Sequence, residues 1–168
     1  MIKFKTHKDL QPVLMEKANK GVKTPYYILA DNDQVIFVIS PGFNGGEFNK
    51  TSGYVNNFPG VQTYQCLYGS GILLMQRNDE SEEAKEFKMV RLNPYRRVNV
   101  PASWLVCLVN TGNSFLIVLR SSCLDEKYKV PKSILDKRGF AYYVVDKRGE
   151  IAFEPNPYYR VRPQITTE

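Results

Sequence analysis

Short blocks of apolar residues recur along most of this chain, separated by turn-forming residues. Residues 26–29, 35–39, 63–68, 72–76, 87–92, 98–101, 105–109, 115–119, 141–145 and 150–153 each have the length and composition of a strand. Between them lie Asp31-Asn32-Asp33, Gly69-Ser70-Gly71, Asn110-Thr111-Gly112-Asn113 and Asp146-Lys147-Arg148-Gly149, all turn sequences. Many short strands at near-regular spacing predict an all-β sandwich or barrel. The first 20 residues differ. Leu10, Val13, Leu14 and Ala18 follow helical spacing, and Gly21 ends the run. Pro12 fits a helix only in its first turn, which favours Asp9 over Thr6 as the cap. The pattern predicts a helical extension over 1–25, one barrel domain with a C-terminal hairpin over 26–160, and a tail over 161–168.

Composition narrows the class. The chain has 168 residues, 43% hydrophobic and 24% charged, as expected of a globular domain with its own core rather than a disordered chain. Its longest apolar runs are strand-sized, which excludes a membrane-spanning helix. The start, MIKFKTHKD, has no hydrophobic region and no cleavage site, so the expected location is cytoplasmic. Cys66, Cys107 and Cys123 have no paired spacing and are expected as reduced, packed thiols. The net charge of +6 suits a small anionic ligand. The basic residues are spread along the chain, and no helix-turn-helix, zinc or stacking motif accompanies them, which argues against nucleic acid.

The order of motifs points to a family. PGFNGGEFNKTSG, YQCLYGSGILLMQ, NPYRRVNVPASW, LVNTGNSFLIVL and RGFAYYVVDKRGEIAFEPNPYYR follow one another in this chain. In that order they resemble the cupin-type (archaeal-type) glucose-6-phosphate isomerases, over about residues 36 to 160. The tail from Gly139-Phe140 to Asn156-Pro157 is the most specific part. The resemblance implies a cupin barrel, a double-stranded β-helix or jelly roll. In the family, three histidines and one glutamate hold a divalent metal. Those places fall on Tyr54, Asn56, Gln62 and Val106, and the sole histidine is His7. Neutral amides, a phenol and a valine are poor ligands for first-row metals, so no metal or other cofactor is expected.

The resemblance also implies a sugar-phosphate grip at Thr51, Gly53, Tyr64 and Tyr128. Arg120, just past a strand, is a further candidate for a phosphate, although a solvated rim position is the simpler expectation. In Arg96-Arg97, alternation places one side chain inward. Glu47, Glu82, Glu83 and Glu86 fall in loops without an acid–base partner. Tyr54, Phe58, Tyr64 and Tyr68 cluster in sequence at the former metal site, as a stacking platform or as cavity filling. Three functions remain open. One is a non-catalytic cupin that binds a sugar phosphate or small anion at Thr51, Gly53, Tyr54, Asn56, Gln62, Tyr64, Arg120 and Tyr128, or serves as a scaffold. The second is a metal-independent sugar isomerase or epimerase with Tyr64 as acid–base. The third is a protein-interaction module, which predicts an exposed apolar face. The family further implies a homodimer.

Overall fold

A computed structural model describes residues 1–17, 20–121 and 129–168. Ala18, Cys123 and Tyr128 lie outside the described residues. In chain order the elements are β1 (Ile2–Lys5), α1 (His7–Leu10), a 3-10 turn (Gln11–Val13), β2 (Tyr26–Ala30), β3 (Gln34–Ile39), β4 (Phe43–Asn44), β5 (Glu47–Phe48), β6 (Tyr54–Val55), β7 (Gln62–Tyr68), β8 (Gly71–Asn78), β9 (Ala84–Leu92), β10 (Arg97–Val100), β11 (Leu105–Asn110), β12 (Leu116–Ser121), α2 (Lys132–Asp136), β13 (Tyr142–Lys147), β14 (Glu150–Pro155) and β15 (Ile165–Thr167). They form a six-stranded sheet in the order β1-β2-β3-β12-β7-β10, a five-stranded sheet β15-β9-β8-β11-β6, and a four-stranded sheet β14-β13-β5-β4. The two larger sheets face each other across a shared core, the jelly-roll arrangement expected from the sequence. Phe37 of one meets Tyr54 of the other, with ring centroids 5.8 Å apart.

Period-two burial explains the strands. In β3 the side chains of Val35, Phe37 and Ile39 are buried while Gln34, Ile36 and Val38 alternate outward. The hairpin between β7 and β8 turns at Gly69, whose φ of +84° and closeness to the Phe115 carbonyl leave no room for a Cβ. β8 is different, being buried at every position from Gly71 to Gln76. One of its faces looks into the barrel. The other lies under the C-terminal sheet, where Phe87 of β9 meets Tyr142 edge-on at 5.0 Å.

The N-terminal helix is a single turn followed by the 3-10 turn. Pro12 falls in that turn, where it has no N–H to continue an α-helix. Thr6, not Asp9, is the cap. The Thr6 side chain accepts from the Asp9 N–H, and the Asp9 carboxylate takes the Thr6 N–H at 2.8 Å, a reciprocal capping box. Leu10, Val13 and Leu14 are nonetheless buried as their spacing implied. Residues 2–5 form β1 on β2, an alternation that the helical spacing downstream obscured.

The tail sequence from Gly139 to Tyr159 closes the structure. Asn156 donates from Nδ2 to the carbonyls of Phe140 and Lys137 at 2.8 and 2.9 Å, and Tyr159 donates to Gly139 O at 2.7 Å. Gln76, at the end of the doubly buried stretch of β8, accepts from Ala141 N and donates to the Tyr159 hydroxyl. Three of the four acids read as unpartnered loop residues, Glu47, Glu83 and Glu86, are ion-paired. Glu47 meets Lys50 at 2.5 Å and accepts from Met15 N, and Lys50 donates to Val13 O. Removing one member of such a buried pair costs about 3–5 kcal/mol, several times what an exposed pair contributes. Glu86 pairs with Arg77, and Glu83 with Lys137 at 2.9 Å.

Glu83 also accepts the N–H groups of Arg160 and Val161, so its carboxylate holds the tail. The Lys137 hydrogen bond, with those two amides, keeps its pKa below the ordinary 4.5. A depressed folded-state pKa contributes stability above 4.5 that is lost as pH falls through the depressed value. Protection factors of the Arg160 and Val161 amides, taken against the intrinsic exchange rate at each pH, should therefore fall below pH 4.5, and Glu83→Gln should lower them at neutral pH and flatten the acid dependence.

Candidate functional site

The barrel interior brings together inward side chains of both large sheets. Tyr54 of β6 lies opposite Val106 of β11, Val106 opposite Met75 of β8, and Met75 opposite Lys88 of β9, one row across four strands. On the facing sheet Arg120 of β12 lies opposite Tyr64 of β7, and Gln62 opposite Val100 of β10. Tyr54, Gln62, Tyr64 and Arg120 are all buried.

Arg120 is the central correction. It is 5% exposed, not a solvated rim residue. Its guanidinium lies 5.6 Å from the Phe37 ring centroid, hydrogen-bonds the Tyr64 side chain, and acts electrostatically on Tyr54. Arg96 and Arg97 are both exposed: Arg97 alternates outward from Val98 and Val100, and Arg96 lies before β10 in the turn closed by its N–H to Asn93 O. The Tyr54 hydroxyl meets that of Tyr26 at 2.5 Å, and Tyr26 donates to Ser52 Oγ at 3.1 Å. Burial raises the pKa of Tyr26, Tyr54 and Tyr64; for the last two Arg120 opposes the rise without cancelling it. The three phenols are therefore protonated at neutral pH. The result is one arginine set among neutral hydroxyls.

Other expected site residues are committed elsewhere. The Thr51 hydroxyl accepts from Leu108 N at 3.0 Å and donates to Cys107 Sγ at 3.8 Å. Gly53 has φ +103°, and a Cβ there would come within 2.9 Å of Ile134 and of Phe140, so the tail packs directly on it. Asn56 donates to Gly60 O and Val100 O and accepts from Phe58 N, which shapes the loop after β6. Tyr68 departs from the aromatic cluster. A β-bulge where Ile117 and Val118 of β12 pair with β7 changes the register, and Tyr68 is exposed. Cys66 and Cys107 are buried free thiols; burial pushes Cys107 up to about 11, which leaves it unreactive at neutral pH.

Two cationic residues were missed by sequence reasoning. Lys88 is half-buried in the row of Tyr54 and Val106, its ammonium 5.2 Å from the Trp104 ring centroid, and among the described residues it makes no ion pair. Arg77 approaches the same ring at 5.9 Å. Strict alternation along β9 was the available signal for Lys88: it lies two residues from inward Val90.

The sequence matches the glucose-6-phosphate isomerase family over residues 5–160. The chain belongs to that family. Its jelly-roll barrel makes it a cupin-type member. No curated protein matches the sequence. Solved structures similar to it include the CENP-C cupin domain of Drosophila melanogaster, 8% identical over 58% of this chain and 68% of that one, with TM-score 0.45. Another is the capsular polysaccharide assembling protein CapF of Staphylococcus aureus, 12% identical over 68% of this chain and 30% of that one, TM-score 0.43. A third is peruvianin-I, a cysteine peptidase from Thevetia peruviana latex, 15% identical over 52% and 47%, TM-score 0.42. This chain thus spans about half of peruvianin-I and under a third of CapF.

The family's metal does not fit the residues present. Tyr54 is a buried phenol held protonated, Asn56 has its amide engaged on three sides, Gln62 offers a neutral amide, and Val106 has no lone pair. Among the described residues no three His, Cys, Asp or Glu side chains come together. We expect the purified chain to carry no stoichiometric Mn, Fe or Zn on elemental analysis. The combined variant Tyr54→His, Asn56→His, Gln62→Glu and Val106→His should acquire metal if these are the family's ligand positions.

Proposed function

We propose that this family member is a metal-free binding protein whose barrel takes a small phosphorylated sugar or similar anion, with Arg120 as its charged contact. One observation carries the reading: the buried Arg120 guanidinium acts on the neutral phenols of Tyr54 and Tyr64, and Tyr54 falls on a position that the resemblance assigns to the family's metal. Charge-assisted hydrogen bonds from guanidinium to phosphate oxygens are stronger than neutral ones, and a water-poor interior strengthens them further. The tyrosine hydroxyls add neutral donors for sugar oxygens. Lys88, over Trp104 in the row of Tyr54 and Val106, supplies a second positive charge toward the same interior.

The metal-independent isomerase reading receives less support. Moving a proton between sugar carbons requires a base. Tyr64 is neutral, with its pKa raised by burial, and the described interior cluster of Tyr26, Tyr54, Tyr64 and Arg120 contains no carboxylate. Calorimetry with glucose 6-phosphate and fructose 6-phosphate tests the proposal. Arg120→Met should weaken binding at least about tenfold, a loss of about 1.4 kcal/mol. Undiminished binding by that variant, or isomerase turnover by the metal-free chain, contradicts it.

A second reading concerns association, and a specific surface favours it. Leu29, Ile36, Val38, Ile117 and Leu119 are paired across β2, β3 and β12 on the outer face of the six-stranded sheet, half-buried and outside the core cluster. None is charged, in a chain of net charge +6. Like-charged copies meet most favourably at such a face, so its occupant is a second copy of this chain. Light scattering should give twice the 19.3 kDa chain mass, and Val38→Lys with Ile117→Lys should give the monomer.

A further inference from the structure

The positive charge is less evenly spread than the sequence first suggests. Residues 1–23 contain six lysines against Asp9 and Glu16, a balance of +4 within the chain's +6. The fold gathers part of this charge at one surface cleft of about 560 Å³, lined by Lys8, Lys20, Lys23, His7, Thr6 and Phe4 among others. Among the described residues no carboxylate lines it. Asp9, the nearest acid in sequence, is turned to Thr6, whose N–H and hydroxyl both donate to it.

The walls are tied rather than loose. His7 N donates to Lys23 O at 3.2 Å, and Val22 N donates to Asn44 Oδ1 at 2.9 Å. Between these ties Gly21 runs so close that a Cβ would fall 2.5 Å from His7 Cε1 and 2.3 Å from Asn44 Oδ1. This close approach and the His7–Lys23 backbone bond hold residues 21–23 against His7 and Asn44. Three lysines are presented from two tethered segments, with Phe4 61% exposed at the edge.

We propose that this cleft binds the polyphosphate chain of a nucleoside triphosphate. Lys8, Lys20 and Lys23 contact the phosphates, and Phe4 covers the base. Lysine is a compact point charge suited to phosphate oxygens, and an aromatic face stacks on any base. The volume lies within the range of small-molecule sites. Three lysines without a facing acid match the several negative charges of a polyphosphate better than the charge of one phosphate, which distinguishes this ligand from the sugar phosphate proposed for the barrel. The cleft shares no residue with the Arg120 cluster, and only Phe4 at its edge, paired with Tyr27 beside Val38, borders the apolar sheet face.

Equilibrium binding to the full chain tests this with ATP, ADP, AMP, inorganic tripolyphosphate and a single-stranded oligonucleotide. Affinity should fall in the order ATP, ADP, AMP and weaken with added salt. The Lys8→Ala, Lys20→Ala and Lys23→Ala triple variant should lose at least about tenfold for ATP, with unchanged thermal unfolding. Phe4→Ser should weaken ATP but not tripolyphosphate. Arg120→Met should leave ATP binding as it was, so failure of the barrel proposal and failure of this one give different results. Equal binding of AMP and ATP, or an unaffected triple variant, overturns the site. Tripolyphosphate binding as tightly as ATP, with Phe4→Ser neutral, overturns the nucleotide in favour of free polyphosphate. An oligonucleotide binding more tightly than ATP through the same lysines overturns it in favour of nucleic acid.

Discussion

The structure depends on a five-stranded sheet that must be covered on both faces. β8 and β11 are buried along nearly their whole length, so neither face tolerates water. The barrel's other sheet covers one face, and the C-terminal sheet covers the second. Buried hydrogen bonds from Gln76, Asn156 and Tyr159 tie that cover to the doubly buried strand, and lost partners there leave buried polar groups unsatisfied. This constraint reaches the candidate site. Ile134 and Phe140 sit against Gly53, so the loop that enters the barrel is held from outside by the tail.

Inside the barrel the chemistry follows from charge and burial. Where the resemblance implies metal ligands, the residues present include a neutral phenol, Tyr54, on which the buried Arg120 acts. Burial keeps Tyr26, Tyr54 and Tyr64 protonated and makes them hydrogen-bond donors rather than bases. Such an interior is suited to holding oxygens and negative charge, and poorly suited to moving protons. Binding without turnover is the function we propose for it.

Much of the fold was legible in the sequence because strand alternation and turn residues are local signals. The ten strands expected from the pattern are all present within a few residues. β1 was hidden by the helical spacing of Leu10, Val13 and Leu14 immediately after it, and Pro12 cut that helix to one turn. β4, β5 and β6 span two residues each, too short for any periodicity, and β15 exists only through its parallel pairing with β9. At the site, Tyr54, Gln62 and Tyr64, singled out by family order, are buried strand residues of the two large sheets. Arg120 was misjudged because buried charge is rare and a strand-end arginine is usually solvated. Glu47, Glu83 and Glu86 looked idle because their partners depend on tertiary packing: Lys50 folds back in the β5 loop, Lys137 lies 54 positions away, and Arg77 is across a hairpin.

The most direct test of the central claim is NMR observation of the Arg120 side-chain N–H during titration with glucose 6-phosphate, on protein stripped with chelator. We predict a saturable shift of that resonance and slower exchange with water, with no added metal required. An Arg120 signal that stays fixed while the sugar phosphate saturates the protein, or binding that appears only when a divalent metal is restored, contradicts the account.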